Sequence, residues 1–148
     1  MRITNKEYAK IVKRRSPNTK TAVTTAKAFI IGGFICVIGQ AFNNLYKHLG
    51  ADVKTTGTLT SITLIFISAL LTVFKAYDRI ASHGGAGTLV PITGFSNAVV
   101  SSGIEYKTEG YIMGIGAKMF TIAGPVIVYG VLTSVLYGII LFIAQSYN

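Results

Sequence analysis

The sequence is short of charge, of acid and of sulfur. Charged residues fill 13% of its 148 positions, against about 25% in an average soluble domain. Apolar residues make up 51%, and the mean hydropathy is +0.55. That balance excludes an ordinary soluble domain and marks a membrane protein. There is one cysteine, Cys36, within an apolar run, so neither a disulfide framework nor a cysteine metal cluster can be assembled. The two histidines, His48 and His83, have no ligand-like partners nearby in sequence. No metal and no cofactor is expected.

Catalytic signatures are missing as well. No Gly-Lys pair occurs, which removes a phosphate-binding P-loop. Gly85-Ala86-Gly87 lacks the third glycine of a dinucleotide fingerprint, and Gly94-Phe95-Ser96-Asn97 lacks the closing glycine of a serine elbow. No second aspartate stands in an apolar segment to partner Asp78. The chain does not read as an enzyme.

What is present is basic and apolar. Fourteen basic residues face five acidic ones, for a net charge of +9. Arg2, Lys6, Lys10, Lys13, Arg14, Arg15, Lys20 and Lys27 stand before or at the start of the first apolar run, against Glu7 alone. Nucleic acid can attract such a tail. An apolar run follows directly, so the positive-inside bias of a first span is the better reading, with a cytosolic N-terminus and no nucleic-acid partner. Residues 1–25 form this tail, and residues 6–15 fit a short amphipathic helix with Tyr8, Ile11 and Val12 toward lipid. A cleaved leader is not expected, because the basic stretch is too long and further apolar segments follow.

Residues 26–148 read as one membrane domain, with spans near 26–45, 58–77 and 122–144. Each is about the 20 residues that a bilayer core requires of a helix. Gln40 and Asn44 share a helix face in the first span, with Asn43 beside them. The sequence favours an inward-facing Gln40; Asn43 and Asn44 fit either an inward role or a helix end among headgroups. In the last span Pro125 falls near the start, and Gly130, Ser134 and Gly138 form a small-residue stripe. Such a stripe suits a subunit interface or packing within the chain.

Between the second and last spans lies HGGAGTLVPITGFSN, from His83 to Asn97. Gly84, Gly85, Gly87 and Gly94 permit bends or close packing, and Pro91 blocks one continuous helix. Thr93 or Ser96 can cap a helix that starts there. Short embedded helices are expected over 93–105 and 110–121, around a polar turn. Together they make a re-entrant hairpin or a broken helix, and interrupted helices at membrane depth point to transport sites. The fold class is therefore an all-α integral membrane protein with about three full spans plus that hairpin. Three crossings put the C-terminus opposite the N-terminus; a full fourth crossing near 89–104 would return it to the cytosolic side. Candidates for an anion pathway are Gln40, Arg79, Thr93, Ser96, Asn97 and Lys118. Lys118 reads either as an anion contact or as a lysine snorkelling to the interface.

The motifs GGFICVIGQ from Gly32, Tyr77-Asp78-Arg79-Ile80, GAGTLVPITGFSNAVVSS from Gly85, EYKTEG from Glu105 and KMFTIAG from Lys118 resemble the stage V sporulation protein A family. The glycine motifs are shared by its AC-type and AE-type members, and the basic extension with Tyr-Asp-Arg-Ile is closer to the AC type. The resemblance implies a membrane subunit in the forespore and spore inner membrane of spore-forming Firmicutes. It implies transport of dipicolinic acid, as its calcium chelate, during sporulation and germination through a tension-responsive channel. It also implies two partners, an AE-type membrane subunit and a soluble dipicolinate-binding AD-type subunit, in a homo- or hetero-oligomer. The family supplies no residue roles, so the candidates above rest on the residues themselves. Two functions fit: a pore-forming subunit, or a structural subunit that assembles a transport complex.

Overall fold

The computed structural model describes Thr4, Glu7, Tyr8, Ile11, Val12 and residues 20–146. The amphipathic helix expected over residues 6–15 lies largely outside the described residues; Glu7, Tyr8, Ile11 and Val12 are helical. The helices are α1 (Thr21–His48), α2 (Val53–Val73), α3 (Ala76–Gly84), α4 (Ala86–Leu89), α5 (Ile92–Glu105) and α6 (Ala117–Ser146). A 3-10 turn (Lys107–Glu109) and a π-helix (Tyr111–Gly116) join α5 to α6. Three helical runs are long and apolar enough to cross a membrane: α1, α2 and Tyr111–Ser146. No strand occurs among the described residues. The all-α membrane class is thus what the chain adopts.

Local chemistry explains the boundaries. Lys47 stands in the last turn of α1, where a cation offsets the negative end of the helix dipole. Asp52 caps α2 by accepting from the Lys54 amide at 3.2 Å. A hydrogen bond from the Thr55 hydroxyl, reinforced by local amides, holds its carboxyl below the usual carboxylate range. Along α2 the hydroxyls of Thr58, Thr60, Ser61 and Thr63 bond the carbonyl four residues back. That local bond is how a hydroxyl residue sits in an apolar span without a bare polar group. Lys75, with φ 57°, turns the chain from α2 into α3.

The stretch His83–Asn97 is more helical than a loop, with two sharp breaks. Gly85 takes φ 48° between α3 and α4, a conformation that side chains with a Cβ resist. Pro91 is extended, at φ −64° and ψ 159°, and starts α5. No side chain caps that helix. The expected Thr93 or Ser96 cap is absent because Pro91 occupies the position before the helix and both hydroxyls are engaged elsewhere.

The short helix expected over 110–121 is not a separate element. Gly110 turns at φ 98°, and Tyr111–Gly116 then runs as a π-helix straight into α6. The Ile115 amide bonds the Gly110 carbonyl five residues back, at 3.0 Å. Gly114 and Gly116 invite a break, but a helical glycine costs only about 1 kcal/mol. Leaving backbone groups unbonded in hydrocarbon costs more. Pro125 consequently lies inside a helix rather than near its start. Its ring removes one backbone donor and crowds the carbonyl of Thr121. From Pro125 to Ser146 every residue is exposed, so the last part of α6 has no packing partner within the described chain.

The bundle of α1 to α5 is built inside out relative to a soluble domain. Among the described residues the one large apolar side chain that is buried is Tyr77, at 3% exposure. Thr56, Ser68, Thr72, Thr88, Thr93, Ser96 and Ser102 are also buried, while α1, α2 and α6 present leucine, isoleucine, valine and phenylalanine outward. Lipid supplies no hydrophobic drive between helices, so small residues and hydroxyls hold them together.

Candidate functional site

Two neighbouring sites flank α5. The first is a set of hydroxyls that fixes to α2 a hairpin made of α3 to α5, Ala76–Glu105, which takes the place of the one expected around the turn at 105–110. Ser68 donates to the Thr93 carbonyl at 2.6 Å, and Ser96 donates to the Ile65 carbonyl at 2.9 Å. Thr72 Oγ1 lies 2.8 Å from both the Ser68 carbonyl and Asn97 Oδ1. Tyr77 Oη donates to the Thr88 carbonyl at 2.8 Å and lies 3.0 Å from Thr93 Oγ1. The Tyr77 bond satisfies a carbonyl at the break before Pro91, and the Ser68 and Ser96 hydroxyls add second bonds to carbonyls that already lie inside helices. No buried side-chain nitrogen or oxygen among the described residues is without a partner.

Glycine contacts close the other side of the hairpin. A Cβ on Gly87 would overlap the Ala28 carbonyl, and one on Gly94 would overlap the Thr88 carbonyl oxygen. A Cβ on Gly84 would meet Thr88 and Ile31. Gly32 faces Gly87 so closely that a Cβ there would sit 3.0 Å from its carbonyl oxygen. Backbone therefore touches backbone where α4 crosses α1.

The second site is a cleft of about 450 Å³ between α5 and α6. Ser101, Ser102, Glu105, Tyr106, Lys118 and Thr121 are among its lining. Lys118 is half-buried, with Nζ 4.2 Å above the Tyr106 ring, a cation–π arrangement that holds the ammonium at the edge of the cleft. Ser101 donates to the Asn97 carbonyl at 2.7 Å and Thr121 to the Ala117 carbonyl at 2.8 Å. Their oxygens keep lone pairs for a ligand, and Lys118 is the cleft's cation.

The six pathway candidates do not converge. Thr93, Ser96 and Asn97 are at the α2–α5 contact, engaged with backbone and Thr72. The space beside Thr93 is an apolar cavity of about 150 Å³, lined by Ile35, Leu64, Leu71 and Tyr77 among others. Lys118 belongs to the other cleft. Arg79 is exposed on α3, where its carbonyl takes bonds from Ser82 and His83. Gln40 does not face inward: it is exposed on α1 and donates to Asn44 Oδ1 at 2.9 Å. The packed face of α1 runs instead through Ala28, Gly32, Gly39 and Tyr46, which meet Gly87, Leu64 and Thr63. Gly130, Ser134 and Gly138 are exposed, with nothing within 4 Å of either glycine's Cβ position. Packing of that stripe within the described chain is therefore excluded.

Sequence reasoning missed Tyr77, Gly32, Ser68 and Thr72. Tyr77 gave no signal as a hub, because a tyrosine beside charges reads as an interfacial anchor. Ser68 and Thr72 did give one: they stand four apart on one face of the apolar second half of α2, residues 64–73.

Inside-out packing, three membrane-capable runs and a hairpin stitched by hydroxyls define a small membrane protein with a broken-helix insert. The chain belongs to the SpoVAC/SpoVAEB sporulation membrane protein family, whose model matches residues 24–140. It is similar to Stage V sporulation protein AC of Bacillus subtilis (strain 168), at 46% identity over 136 residues that cover 91% of each chain. No solved structure matches it.

Proposed function

We propose that this protein is a pore-forming subunit that moves dipicolinic acid, as its calcium chelate, across the forespore and spore inner membrane. It opens under membrane tension, and its N-terminus is cytosolic. The chain belongs to a family of sporulation membrane proteins; the particular membrane and the transported solute follow from the resemblance. The observation that carries the reading is the hairpin Ala76–Glu105, broken at Gly85 and Pro91 inside a membrane bundle. Interrupted helices of that kind are costly and recur where transporters bind their cargo. The cleft beside it offers one cation, Lys118, to a carboxylate.

A second reading has its own observation. Thr93, Ser96 and Asn97 spend their polar groups on the scaffold, and α6 has an uncovered apolar length. Both suit a subunit that assembles an AE-type membrane protein and a soluble AD-type protein around a pore formed elsewhere.

Liposomes loaded with calcium dipicolinate and carrying the purified chain alone decide between them. Osmotic downshift should release the solute if this chain forms the pore. Release that requires the AE-type subunit would instead support the assembly role.

A further inference from the structure

The outward face of α1 carries a second seam opposite the packed one. Ile30, Gly33, Val37, Gln40 and Asn44 follow each other at spacings of three and four, the repeat of a helix that packs along a partner helix. All are exposed: Ile30 at 68% and Val37 at 64%, with open space around Gly33. β-Branched residues alternate with a glycine and two amides along this line. Gln40 lies eight residues before the end of α1 at His48, about 12 Å along the axis. Since α1 is about 42 Å long and a hydrocarbon core is about 30 Å, Gln40 sits inside hydrocarbon.

An amide there needs partners. The Gln40–Asn44 bond uses one amide hydrogen of Gln40 and one lone pair of Asn44. Each side-chain amide can donate two bonds and accept two. Lipid tails satisfy none of what Gln40 has left.

We infer that this seam docks a second copy of the same chain, α1 against α1, with Gln40 and Asn44 of each copy hydrogen-bonded to those of the other. Two copies inserted in the same orientation hold every residue at the same depth, so Gln40 meets Gln40 and Asn44 meets Asn44. An amide is both donor and acceptor and can pair with itself across a two-fold axis; a carboxylate or ammonium cannot. Gly33 lets the two backbones approach, as small residues do in membrane helix pairs. A polar residue at such a seam fixes register and partner number. The inference does not depend on whether the chain forms the pore.

The test uses the full chain, purified and reconstituted alone, with Cys36→Ser as background. Single cysteines at Val37 (Val37→Cys) and, on the outward side of α2, at the exposed Phe66 (Phe66→Cys) are oxidised in the bilayer. Disulfide-linked dimers should form at Val37 and be at least tenfold scarcer at Phe66. Replacing both amides (Gln40→Leu with Asn44→Leu) should weaken dimerisation, read by energy transfer between labelled copies, about tenfold or more. Helix content and melting of that variant report whether the fold survives. Equal cross-linking at the two sites would overturn the inference. So would a folded leucine variant that dimerises unchanged, or cross-links from Val37 in native membranes to a different protein only.

Discussion

The contacts that set this fold are decided by single atoms. A methyl on Gly87 has no room against the Ala28 carbonyl, so Gly87→Ala should cost about 1–3 kcal/mol through overpacking. Gly57, whose Cβ position is open, supplies the contrast: Gly57→Ala should leave stability unchanged or raise it by up to about 1 kcal/mol. Thermal unfolding of both variants in the same detergent checks the pair. Tyr77→Phe keeps the ring but takes the proton from the Thr88 carbonyl. A buried carbonyl stripped of its donor should cost about 1–3 kcal/mol. Ser68→Ala should cost less, about 0.5–1.5 kcal/mol, because the Thr93 carbonyl keeps its bond within α5. If either variant melts with the unaltered chain, the hydroxyls do not hold the hairpin.

At the level of elements, proline was a partial guide to continuity. Pro91 takes away a backbone donor and the chain breaks there, yet Pro125 takes one away as well and α6 runs through it. Where breakage was only a preference, at Gly114 and Gly116, the bilayer's demand for bonded backbone prevailed and Tyr111–Ser146 became one run. Gln40 was misplaced for a related reason. An amide in a span signals a polar contact, but nothing in sequence says whether the partner lies inside the bundle or beyond it. The hydroxyl clamp needs residues 25 apart, such as Ser68 and Thr93, and spacing within one helix does not reveal such pairs. Pro125 offers a test at this scale. Pro125→Ala restores a backbone donor toward the Thr121 carbonyl, so α6 should gain stability and amide exchange near residue 125 should slow. A fall in melting temperature would mean that the ring itself supports the fold.

For the whole molecule, the cleft and the clamp predict separable phenotypes. Lys118→Gln removes the cation from the cleft and should reduce dipicolinate release from liposomes severalfold while leaving the melting temperature nearly unchanged. Ser96→Ala should do the reverse, lowering the melting temperature first. Equal effects of both on flux and on melting would merge the two sites. The buried hydroxyls and glycine contacts also bear on how the molecule answers to temperature. Soluble domains owe their curved stability profile to apolar surface that meets water on unfolding, with a heat-capacity rise of about 12–15 cal/mol/K per residue. In this protein the apolar side chains already face outward, so separating the bundle within a micelle wets little of them. Calorimetry should therefore find a heat-capacity increment well below the soluble value and a stability that falls almost linearly with warming. Chilling should tighten the bundle rather than loosen it.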